Sequence, residues 1–139
     1  MTEQNTLSSV VEFDSDISTA EKPKPLPAGV YKATIVGAEV KMSKAGNRYA
    51  SVTMKVSAED YPADYVEGNK DGTSLRYNRL VLENTAPAKY ALRKFCQTVG
   101  LPMSTRIDVN EWIGSTCKIE VANSLYEGEP RAEIARLVD

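Results

Sequence analysis

Residues 26–56 read LPAGVYKATIVGAEVKMSKAGNRYASVTMKV, one strand, one tight basic turn and a second strand. From Val30 to Val40, Tyr31, Ala33 and Ile35 lie on one face and Lys32, Thr34 and Val36 on the other, and Gly37 marks a bulge or bend. After the turn, Ala50, Val52, Met54, Val56 and Ala58 alternate with Tyr49, Ser51, Thr53, Lys55 and Ser57, the pattern of a half-buried strand. The turn between them holds Lys41, Lys44 and Arg48 around Gly46-Asn47 with no acid among them, and Tyr49 follows at once. A hairpin with a cationic turn and a ring beside it suits a ligand that is anionic along its length and flat at intervals. Single-stranded nucleic acid is such a ligand, because cations track its phosphates while aromatic faces stack its bases.

Working outward, Ser74–Leu82 (SLRYNRLVL) reads as a third strand crowded with Arg76, Tyr77 and Arg79. The period then changes to helical. Thr85 caps a run that opens with Ala86-Pro87, carries Tyr90, Leu92, Phe95, Cys96 and Val99 on one stripe, and stops at Gly100 and Pro102. Asp108-Val-Asn-Glu111 resembles a capping box ahead of Trp112. Thr116–Ala122 is a fourth strand with Cys117, Ile119 and Val121 inward, Asn123–Pro130 a turn, and Arg131–Val138 a fifth strand whose alternation Arg136 interrupts. Three strands, a helix and two strands is the element order of a five-stranded oligonucleotide/oligosaccharide-binding (OB-fold) barrel. In that fold the helix between strands three and four plugs one end, and ligands cross strands two and three.

The 139 residues, 42% hydrophobic, are enough for one sizeable core. Residues 1–26 are expected to form a flexible acidic arm and 27–139 the folded domain. The arm ends in the proline-rich stretch Pro23 to Pro27, a stiff linker, and contains an apolar island, Val10, Val11 and Phe13. Up to residue 25 it carries five acids against two lysines, or −3. The remainder holds 15 basic and 14 acidic side chains, or +1, within a total of −2. Five of those acids, Glu59, Asp60, Asp64, Glu67 and Asp71, fall in the loop after the second strand, read as a solvated flap. The body outside arm and loop is therefore mildly basic, compatible with a local nucleic-acid groove.

Catalysis is not expected. The chain has no histidine, no Cys/His spacing for zinc, no phosphate-cradling glycine loop and no calcium-loop spacing in its acidic loop, so neither metal nor cofactor is expected. Cys96 and Cys117 read as buried apolar residues of a reducing compartment. No apolar run approaches the roughly 20 residues that span a bilayer, and no basic-then-apolar leader opens the chain, so the cytoplasm is the expected location.

The runs GVYKATIVGAEVKMSKAGNRYASVTMKV, KYALRKFCQTVGLP and WIGSTCKIEVANSLYEGEPRAEI resemble a family of small phage-encoded single-stranded DNA-binding proteins. The matching features are Gly29-x-Tyr31 opening the first strand, Lys44-x-Gly46 in the turn, and Gly114-x-x-Cys117-x-Ile119-x-Val121 after the helix. The likeness spans about residues 27–138. It implies the barrel, DNA binding, and work in phage replication or recombination inside the host cytoplasm, with phage replication or recombination proteins as partners. One departure stands out. The acidic segment lies at the N-terminus here, whereas many bacterial single-stranded DNA-binding proteins carry an acidic tail at the C-terminus.

The residues expected to touch DNA are Lys32, Lys41, Lys44, Arg48, Tyr49, Lys55, Arg76, Tyr77 and Arg79. Each also has a bland reading. Tyr77 shares its face with Leu75 and Val81, as a core residue does, and with Arg79, as a ligand-facing one does. Most charged turns are simply solvated. Trp112 is expected to pack under the barrel, the stripe Lys89, Arg93 and Lys94 to be a solvated helix face, and Tyr126 to have its approach to the groove weakened by Glu127 and Glu129. Dimerisation through a sheet face, or cooperative assembly on DNA through the arm, fits this picture. The alternative is a β-rich phage structural or assembly adaptor, which calls for an exposed apolar stripe; only the Val10–Phe13 island hints at one.

Overall fold

A computed structural model describes residues 7–22 and 24–139. Glu3 of the acidic arm and Pro23 of the linker lie outside the described residues. One antiparallel sheet runs in the order β3-β2-β1-β4-β5. Its strands are β1 (Gly29–Met42), β2 (Arg48–Val56), β3 (Thr73–Val81), β4 (Thr116–Tyr126) and β5 (Glu129–Val138), with α1 (Ala86–Val99) between β3 and β4 in the chain. The architecture is mostly β with one helix at the place the sequence pattern predicts.

Three bulges shape the sheet. In β1 the register against β2 slips between Ile35 and Gly37, so Val36 is the extra residue and Ala38 turns inward behind Ile35. In β3, Ala50 faces Leu80 but Val52 faces Tyr77, which leaves one residue too many on β3. In β5, Glu120 faces Arg136 and Val121 faces Ile134, so Ala135 is bulged out. That last slip is why Arg136 breaks the alternation in the sequence: it points outward beside Glu120, while Ile134 and Leu137 face inward-pointing β4 residues.

The turns follow their residues. Gly46 adopts φ +88° in the basic turn, where the Ser43 carbonyl accepts from Gly46 N and the Ser43 hydroxyl from Asn47 N. Glu127 and Gly128 both have positive φ, 52° and 82°, the pair that a two-residue type I′ hairpin requires. This turn is tighter than the Asn123–Pro130 turn expected from composition, so β4 and β5 pair out to Tyr126 and Glu129. Pro130 is tolerated there because β5 is an edge strand.

The core gathers the inward residues of all five strands beneath α1 and a short 3-10 turn, Val109–Trp112. Thr85 Oγ1 accepts from Ala88 N at 3.3 Å, and Gly100 closes the helix in the left-handed conformation at φ +84°. Phe95 and Cys96 are buried, whereas Tyr90, expected on the same stripe, is exposed. Trp112 is buried against Phe95 at 5.1 Å between centroids. Both cysteines are free and buried, and burial pushes both thiols up.

The proline segment belongs to this body. Leu26, in the last position assigned to the arm, is only 1% exposed, and its carbonyl accepts from Asn123 Nδ2. Tyr65 Oη donates to the Lys24 carbonyl and Tyr31 Oη to that of Pro27.

Candidate nucleic-acid interface

The outward face of the sheet is set by strand parity. Because Ala33, Val52, Met54, Leu75, Cys117 and Ile119 point into the core, their neighbours Lys32, Thr34, Thr53, Lys55, Arg76 and Lys118 point away from it. The register then makes this set a continuous patch. Lys32 sits directly opposite Lys118 across β1–β4, Thr34 opposite Lys55 across β1–β2, and Thr53 opposite Arg76 across β2–β3.

Lys32, Lys55, Arg76 and Lys118 make no ion pair among the described residues. Like charges directly opposite on a ladder repel. An anion lying across β1 and β4 would relieve that repulsion. Lys118 was not among the residues singled out from the sequence, although the inward alternation of Cys117, Ile119 and Val121 already marks it as outward.

The patch runs toward the basic turn. Tyr49, half-buried, faces Lys41 across β1–β2, and Lys44 is exposed at the tip. Lys41 Nζ lies 3.6 Å from Glu39, an exposed pair of small energetic weight. Arg48 is engaged on its own element's far side. Its guanidinium lies 3.3 Å from Glu83, and its amide donates to the same carboxylate at 2.6 Å. These hydrogen bonds hold the Glu83 carboxyl below the usual carboxylate range.

Tyr77 and Arg79 are placed differently from the open patch. Tyr77 keeps the inward parity of Leu75 and pairs with buried Val52, so its ring turns inward and stacks on Phe95 at 6.0 Å and 13°. The β3 bulge comes after it and puts Leu80, instead of Arg79 or Val81, next on the core face. Arg79 lies over the Tyr77 ring at 5.6 Å and donates to the carbonyls of Ile134 and Ala135 at 2.7 and 2.6 Å. Those carbonyls flank the β5 bulge, so Arg79 ties one sheet edge to the other.

The acidic loop has a framework of its own. Tyr61 and Tyr65 meet edge to face at 5.1 Å, and Tyr61 Oη bonds Asn69 and Thr73. Glu67 accepts from Lys24 N, which fastens the loop to the proline segment. Tyr126 is exposed with Arg131 over its ring at 4.7 Å.

The family described as "Protein of unknown function (DUF669)" matches residues 13–128. The chain belongs to that family. The DUF669 match takes in the end of the arm, all nine residues named from the sequence, and Lys118, and stops inside the β4–β5 turn. No curated protein matches the chain significantly. Among the described residues, no helix is long and apolar enough to cross a membrane.

Proposed function

We propose that this DUF669 chain binds single-stranded DNA without sequence preference and without catalysis, across the outward face of β1, β2, β3 and β4. The observation that carries this reading is the Lys32–Lys118 pair, two facing cations with Lys55 and Arg76 beside them, none of them ion-paired among the described residues, the neighbouring Glu120 being paired with Arg136. A phosphodiester backbone supplies the missing charge, and Tyr49, at the end of the patch beside Lys41, supplies a stacking face. Thr34 and Thr53 add hydroxyls along the path.

The proposed fold is an OB-type barrel in which Arg79, rather than a β-ladder, draws β3 and β5 together. Tyr77 is then a wall residue of the barrel end, and Arg48 is held by Glu83 beside the groove. The DNA path therefore centres on Lys32, Lys41, Lys44, Tyr49, Lys55, Arg76 and Lys118. Protection of a single strand during phage replication or recombination is the setting that the sequence resemblance implies.

Fluorescence-anisotropy titration tests the reading, with a labelled single-stranded oligonucleotide, a duplex of the same length, and two salt concentrations. Preferential single-strand binding is expected, with log K falling against log salt by about 0.7 per phosphate contact. Absence of binding at low salt would sink it. The assembly-adaptor alternative would then stand, supported by the exposed Val10, Val11 and Phe13.

A further inference from the structure

The outward patch leaves two features unused, the acidic arm and a groove at one end of the sheet. The arm segment Val10–Asp16 carries Val10, Val11 and Phe13, each about 70% exposed, interleaved with Glu12, Asp14 and Asp16. Three large apolar side chains in so short a stretch stay uncovered among the described residues. The groove, about 850 Å³, lies between α1, the ends of β1 and β3, and the segment leading to the Val109–Trp112 turn. Val40, Val81, Leu82, Leu92, Met103 and Ile107 floor it. Its rim holds Arg48, Lys89 and Arg93 against one acid, Glu83, which Arg48 already occupies. Lys89 and Arg93 make no ion pair among the described residues. Floor and rim thus complement the arm in both hydrophobicity and charge.

The point where the arm leaves the body and the groove lie at opposite ends of β3. Lys24, Leu26 and the ion pair of Lys22 with Glu129 fix the arm's exit beside the start of β3 and the β4–β5 turn. The groove lies at the end of β3, nine residues or roughly 30 Å away. The 3-10 turn Ile17–Thr19, capped by Asp16, shortens the arm's reach back along its own body.

We propose that the Val10–Asp16 segment of one copy docks in this groove of a second copy, joining copies head to tail. Such a contact is heterologous, so it propagates into chains instead of closing as a dimer. It requires no nucleic acid and stands apart from the DNA-binding reading.

Sedimentation velocity on the full chain, from micromolar to millimolar protein, tests it with two exposed-site variants checked for folding by circular dichroism. One is Val11→Asp with Phe13→Asp in the arm, the other Lys89→Glu with Arg93→Glu on the groove rim. The wild type is expected to sediment faster as concentration rises, and each variant alone to lose that rise. An equimolar mixture of the variants should form dimers and nothing larger, since one offers only a groove and the other only an arm. A wild type that stays monomeric overturns the proposal, whether its arm folds onto its own body or awaits a different protein. Assembly that survives both variants, or a mixture that stays monomeric, overturns it as well.

Discussion

Lys32 and Lys118 repel one another across the β1–β4 ladder, and removing one should move two properties in opposite directions. Lys118→Ala is expected to stabilise the fold slightly, by about 0.2–1 kcal/mol, because a facing like-charge pair disappears. The same change should weaken single-strand binding and flatten its salt slope by about 0.7, the share of one phosphate contact. Urea unfolding alongside anisotropy titration reads both; a gain in stability with no loss of binding would remove Lys118 from the interface. Tyr49 answers a separate question at the same scale. Tyr49→Ala should lose about 1–3 kcal/mol of binding, a drop of roughly 5- to 150-fold, and Tyr49→Phe should keep most of it, since the ring face and not the hydroxyl carries the stacking.

Two loops hold their shape through contacts that can be broken singly. A Cβ on Gly68 would come within 2.5 Å of the Tyr61 ring and 2.6 Å of the Tyr65 ring. Gly68→Ala must therefore part the two rings and release the Tyr65 bond to Lys24. It is expected to destabilise by about 1–3 kcal/mol, with faster hydrogen exchange over the 61–73 loop. Where β2 begins, the Arg48 amide and guanidinium keep the Glu83 carboxyl below its ordinary 4.5. A depressed acid contributes stability that is present above the unfolded value and vanishes as pH falls through the folded one. The stability gap between wild type and Glu83→Gln should therefore be largest at neutral pH and shrink below pH 4.5. Urea midpoints at the two pH values check this, and a gap that widens on acidification would refute it.

At the level of the whole molecule, β3 and β5 are edge strands, and an unpaired edge invites association with other chains. Arg79 caps both edges at once, its fork reaching the two carbonyls exposed by the β5 bulge while its plane lies over Tyr77. Arg79→Ala is expected to lower stability by about 1–3 kcal/mol. Arg79→Lys should rescue little, because a single ammonium cannot reproduce the planar fork. The effect belongs in the urea midpoint and not in the salt slope of DNA binding. A variant with unchanged stability and a flattened slope would return Arg79 to the DNA path.

Strand parity in β1, β2 and β4, the helix and its caps, and the place of the helix between the third and fourth strands were legible in the sequence. Each rests on local chemistry: alternation in β2, Thr85 and Gly100 around α1, and Gly37 at the β1 bulge. The same alternation carried the outward placement of Lys32 and Lys55. Pairing partners were beyond it. That Lys118 faces Lys32, that Arg48 is held by Glu83, and that Leu80 follows Tyr77 into the core in place of Arg79 and Val81 all depend on register. A one-residue bulge reverses a side chain's face while leaving almost no mark in composition. The physical division is one of range. The chain's own sequence determined what neighbours along the backbone settle between them. Only the tertiary structure decided which cations stand alone on the sheet, because charge compensation comes from residues distant in the chain and adjacent in space.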